Sequence, residues 1–138
     1  MKNPEVLRQR LSAVVLALVT LSVFAALQDY GPDSTLRRFF EAVVSHDQDR
    51  VFSLMARTGQ NPPLTEGEKY VVAEIDSLAN MGGSYHIERI RRPMDRVAEA
   101  WVRYDLPNGE QRMVSWILIR PGNRWSVDLS STARSRVF

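Results

Sequence analysis

The chain has no cysteine and only two histidines, His46 and His86, in 138 residues. Without cysteine there can be no disulfide, no thiolate metal site, no thiol nucleophile and no lipidated cysteine anchor, so packing alone must hold the fold. An excess of one charge is missing too, since 18 basic residues face 16 acidic ones. Lys2, Arg8 and Arg10 against Glu5 account for the whole net charge of +2, and the rest of the chain is neutral. A neutral surface lacks the positive charge that displaces counterions from phosphates, so no nucleic-acid partner is expected. There is no internal repeat, no low-complexity tract and no assembled catalytic motif. One stretch has no charge at all.

That stretch is LSAVVLALVTLSVFAAL, Leu11 to Leu27. With Gln28 it would reach about 27 Å as a helix, close to the ~30 Å hydrocarbon layer of a bilayer, and it reads as a transmembrane helix over residues 11–28. Lys2, Arg8 and Arg10 before it and Asp29 and Asp33 after it place the N-terminus in the cytoplasm and the rest in the periplasm or outside the cell. The expected location is the bacterial inner membrane. A cleaved signal peptide is the rival reading, because a basic start, an apolar stretch and the small residues Ala25 and Ala26 also fit export. Ala13, Ala17 and Thr20 fall on one helix face as a small-residue stripe that would let a second helix approach. Tyr30 suits the aromatic belt at the membrane surface. With no histidine in the span there is no axial ligand for a haem or chlorophyll, and no cofactor is expected.

The implied organisation is a head over 1–10, the span over 11–28, a linker over 29–32, an α+β domain over 33–130 and a tail over 131–138. Tyr30-Gly31-Pro32 breaks the first helix, with Asp33 or Ser34 as cap for the next. Leu36, Phe39, Phe40, Val43 and Val44 then recur at helical spacing, which makes Phe39 and Phe40 core residues. A short helix from Asp47 or Gln48 to Arg57 and another from Thr65 to Met81 follow, the latter ended by Gly82-Gly83. From Ser84 the period changes to two. Strands are expected over Tyr85–Arg91, Val97–Leu106, Gln111–Arg120 and Arg124–Leu129, joined in part by Pro107-Asn108-Gly109 and Pro121-Gly122-Asn123. The fold class is therefore α+β: one transmembrane helix, then about three helices packed on a four-stranded antiparallel sheet.

Leu36 to Met55, LRRFFEAVVSHDQDRVFSLM, and Trp116 to Leu129, WILIRPGNRWSVDL, resemble the opening helix pair and closing hairpin of the nuclear transport factor two-like (cystatin-like α+β) superfamily. The resemblance covers about residues 33–130. It implies a cone-shaped domain, and because members include enzymes, ligand binders and structural partners it implies no single activity.

Neither histidine has an evident set of carboxylates for a metal. His46 follows a helix end, where a cation is favoured by the helix dipole. Arg89, Arg91, Arg92 and Arg96 cluster about Pro93-Met94, either as a clamp for an anionic partner or as a solvated edge with local ion pairs. Trp101, if exposed, is an interface anchor. The leading expectation is a non-enzymatic accessory or structural subunit of a larger membrane complex, respiratory, photosynthetic or concerned with envelope assembly. Its partners would be the bilayer and an integral membrane protein complex, met through Ala13, Ala17, Thr20, Tyr30, Arg89, Arg91, Arg92, Arg96 and Trp101. The alternative is an anchored ligand-binding or enzymatic cone, with Tyr85, His86, Tyr104 or Asp128 as polar contacts.

Overall fold

A computed structural model describes residues 4–27, 31–56 and 63–136, with backbone alone for 21–27. The elements run α1 (Pro4–Leu27), α2 (Pro32–Val44), α3 (Gln48–Leu54), α4 (Glu66–Asn80), β1 (Ser84–Met94), β2 (Val97–Asp105), β3 (Gln111–Ile119), β4 (Ser126–Val127) and α5 (Leu129–Arg134). The strands form one antiparallel sheet in the order β1-β2-β3-β4.

The α+β class and the four-stranded sheet are those expected, but the transmembrane helix is not. Among the described residues no helix is long and apolar enough to cross a membrane. The helix runs from Pro4 to Leu27, and Glu5, Arg8 and Arg10 lie within its first turns. A single-pass membrane protein is therefore not what the structure describes. The bilayer partner and the inner-membrane location were inferred from that span and are carried no further. Every described side chain of α1 from Pro4 to Thr20 is exposed.

Local chemistry explains the helix ends. Thr65 and Glu68 form a reciprocal capping box that opens α4. Pro32 takes the first position of α2 behind Gly31, where its missing N–H costs nothing, and no side chain caps that end. The C-termini of α2 and α4 close alike. Asp47 N–H donates to Ala42 O and His46 N–H to Val43 O; Gly83 N–H donates to Leu78 O and Gly82 N–H to Ala79 O. The pivot residue is left-handed in both, His46 at φ 58° and Gly82 at φ 81°.

The core lies between α2, α4 and one face of the sheet. Leu36, Phe39 and Phe40 from α2 and Val71, Ile75 and Leu78 from α4 meet Ala98, Ala100, Val102, Trp116 and Leu118. Along β2 the alternation is complete, with Ala98, Ala100, Val102 and Tyr104 buried and the residues between them half-buried. α5 runs beside β3, where Thr132 Oγ1 accepts from Ile117 N–H and Arg136 donates to Ser115 O. Side chains there complete a strand edge that β4 reaches only at Leu118 and Ile119.

Candidate functional site

Three places gather polar or aromatic side chains: the interior, a cleft beside α4, and the sheet face and end turned away from the helices. The interior is filled. Phe40 meets Trp116 edge-on at 4.9 Å and Tyr85 at 4.7 Å between ring centroids, and Phe39 lies 5.9 Å from Trp116. Its polar atoms form a closed chain: Trp116 Nε1 donates to Tyr104 Oη at 2.9 Å, and Tyr104 Oη donates to Glu74 Oε2 at 3.0 Å. Arg136 grips the same carboxylate through Nε at 3.0 Å and Nη2 at 3.2 Å, and its guanidinium lies 5.6 Å from the centre of the Trp116 ring. Burial, followed by the Glu74 charge, holds the Tyr104 phenol far above its ordinary pKa, so it stays a neutral donor. No buried side-chain N or O lacks a partner among the described residues.

The four polar contacts expected around a cone pocket are therefore not brought together. Tyr85 packs on Phe40. His86 is exposed, with Nε2 3.7 Å from Asp105. Tyr104 is spent within the chain just described, and Asp128 caps α5 by accepting from Ser131 N–H. A cleft of about 270 Å³ beside α4 is lined by Glu74 and Tyr104 of that chain together with Tyr70, Ser77, Leu78, Met81, Leu106, Arg112 and Val114. His46 Nε2 sits 3.0 Å from Asp76, linking the end of α2 to α4. Among the described residues no group of three or more metal-ligating side chains is assembled.

The outer sheet face carries Trp101. In register around it stand Arg89 and Ser115, then Arg91, Glu99 and Ile117, then Val97 and Ile119, and on the other side Arg103 and Met113. Arg103 is engaged by both Asp105 and Glu88. At the Val97 end the arginines gather. Arg92 and Arg120 both lie over the buried Trp125 ring, at 5.2 and 5.4 Å from its centre. Arg96 Nη1 donates to Pro121 O at 3.2 Å, Arg120 N–H donates to Arg96 O, and Arg124 precedes Trp125 in the exposed loop.

Of the residues singled out for partner contact, Arg89, Arg91 and Trp101 thus share the outer face, while Arg92 and Arg96 belong to the end around Trp125. Ala13, Ala17 and Thr20 are exposed on α1, with Thr20 Oγ1 donating back to Leu16 O. Tyr30 lies outside the described residues. The sequence reading missed Glu74, Arg136 and the pairing of Arg120 and Arg124 with the first arginine group. The two arginines that flank the Pro121-Gly122-Asn123 turn just before Trp125 were the available signal for that pairing.

No protein-family model and no curated protein matches the chain. Among solved structures it is similar to NTF2-like proteins, as the sequence resemblance implied. One is a candidate NTF2-like transpeptidase from Campylobacter jejuni, 19% identical, covering 70% of this chain and 96% of that one at a TM-score of 0.48. Another, from Shewanella baltica, is 15% identical over 78% of this chain and 89% of its own, at 0.44. A third, from Cytophaga hutchinsonii, is 11% identical over 70% and 86%, at 0.41. The latter two are described as proteins of unknown function. The likeness concerns the fold and transfers no activity.

Proposed function

We propose that this chain is a non-enzymatic accessory or structural subunit that docks on a larger assembly through the outer face of its sheet. The observation that carries the reading is Trp101. It is half-buried on a face that the core helices leave open, with Val97, Ile117 and Ile119 on one side, Met113 on the other, and charged side chains between them. A large aromatic surrounded by smaller apolar groups and a charged border has the composition of a protein interface. A catalytic role draws no comparable support, because Phe39, Phe40 and Trp116 occupy the interior and its polar atoms satisfy one another.

The test compares tagged wild-type chain with Trp101→Ala and Met113→Glu in pull-downs from the source cells, with quantitative mass spectrometry. Both variants should keep the wild-type unfolding midpoint and lose the same co-purifying protein. If every specific partner is retained by both, the outer face is not where docking occurs.

A further inference from the structure

Some of the described basic side chains have an acid beside them: Arg103 meets Glu88 and Asp105, Arg136 meets Glu74, and Lys69 meets Glu66. At the end of the sheet around Trp125 the arginines are grouped with one another instead. Arg92, Arg96 and Arg124 stand there with Arg120, and no ion pair of the described residues reaches the first three. Asp95 and Glu99 are the acids nearest in sequence, and neither is engaged in an ion pair. Like charges held together raise one another's energy, a cost that an arriving anion removes.

The arginines are also held in place. Two guanidinium groups lie over one buried indole, and a third is tied to a carbonyl of the adjoining turn, which reduces the rotamer freedom that binding would otherwise have to remove. Stacking leaves the N–H edges of a guanidinium facing outward, and that fork fits a carboxylate in bidentate fashion.

We infer that this end of the sheet binds carboxylates of an acidic segment in a partner protein; the inference rests on the docking reading and names the chemistry of the partner. A peptide is favoured over a nucleic acid because the cluster adjoins the apolar strip of Val97 and Ile119 and the exposed Met94, while the chain beyond Arg10 has no net charge to hold a phosphate backbone.

The experiment is a titration of the full chain into a fluorescein-labelled octaglutamate peptide at low salt, read by anisotropy. Arg92→Gln with Arg124→Gln should weaken binding by about tenfold or more, since each removes a charge-assisted hydrogen bond. Arg134→Gln, on the exposed side of α5, should leave it unchanged. Salt should weaken the wild-type complex as screening shortens to ~8 Å. Because Arg92 touches Trp125, Arg124→Glu alone, in an exposed loop, serves as a second variant and should weaken binding in a chain with the wild-type unfolding midpoint. Absence of peptide binding, or equal binding by all variants, overturns the inference, as does tighter binding of a DNA duplex of equal charge. Loss of peptide binding in the arginine variants while Trp101→Ala keeps its partners would refute the docking face and leave the carboxylate site standing.

Discussion

The indole N–H of Trp116 donates to the hydroxyl of Tyr104 across two neighbouring strands, and both groups are buried. Trp116 pairs in register with Ala100, and Tyr104 lies four residues further along β2, opposite Arg112. The bond therefore fixes the long indole along the inner face of the sheet. Tyr104→Phe would leave that N–H without an acceptor in the core and remove one donor from Glu74. The expected loss is about 1–3 kcal/mol by urea unfolding. A change near zero would mean that the network contributes nothing to stability.

Stability should also respond to alkaline pH through this phenol. Its ordinary pKa is 10.0, and the fold raises it, first by burial and then by the Glu74 charge. The unfolded chain then releases the proton at a pH where the folded chain keeps it. The contribution is complete below the ordinary value and is lost progressively as pH rises beyond it. Urea midpoints should therefore fall more steeply above about pH 10 in the wild type than in Tyr104→Phe. Tyr85, raised by burial and then by Glu41, is present in both proteins and does not blur the comparison. Parallel curves would remove Tyr104 as the source.

Arg136→Met should be more damaging than a surface arginine change. Both partners of the Arg136–Glu74 pair are largely buried, with side chains 10% and 15% exposed. Removing the cation strands the carboxylate, at about 3–5 kcal/mol. Replacing both, with Glu74→Leu alongside Arg136→Met, should recover part of that loss. Equal instability of the single and double variants would contradict the role of the stranded charge.

Gly82 and Gly83 differ in what they permit. At Gly82 the constraint is the left-handed backbone alone, because an added Cβ meets nothing within 4 Å. At Gly83 the added Cβ would lie 2.9 Å from Asp105 O and 2.5 Å from Leu78 Cδ1, pressing α4 away from the end of β2. Gly83→Ala should cost about 1–3 kcal/mol as an overpacked site. Gly82→Asn should cost less, since asparagine tolerates the left-handed region. Thermal midpoints in the reverse order would refute this.

Much of this fold was legible because periodicity is local. Leu36, Phe39, Phe40 and Val43 announced the buried stripe of α2, and the period of two from Ser84 announced the strands, of which β2 turns Ala98, Ala100, Val102 and Tyr104 inward. β1 ran past the expected end at Arg91 to Met94, because Pro93 reads as a bend, yet β1 is an edge strand where a missing N–H is tolerated. α5 was illegible for a different reason. Its six residues span less than two turns, and its anchors are a threonine hydroxyl and an arginine 62 positions from its carboxylate. No window along the sequence contains both members of such a pair. At the first helix it was the membrane-spanning assignment that did not hold, because an uncharged run in sequence was weighed without the charges that Glu5, Arg8 and Arg10 bring to the same helix.

The side chains of α5 and of Arg136 just after it, set against β3, also bear on whether this sheet can grow. A strand with bare amides and carbonyls along its flank invites another chain to add on, the route to runaway aggregation. Beyond β4, that flank is plugged by Thr132 and Arg136, which make with side chains the bonds that an incoming strand would need. The opposite flank, β1, is not plugged but crooked: its pairing with β2 slips between Ile87 and Arg89 and again between Arg91 and Met94, and Pro93 has no N–H to offer. A second sheet finds no straight ladder on either side, so contacts between this chain and others are directed to its faces and ends.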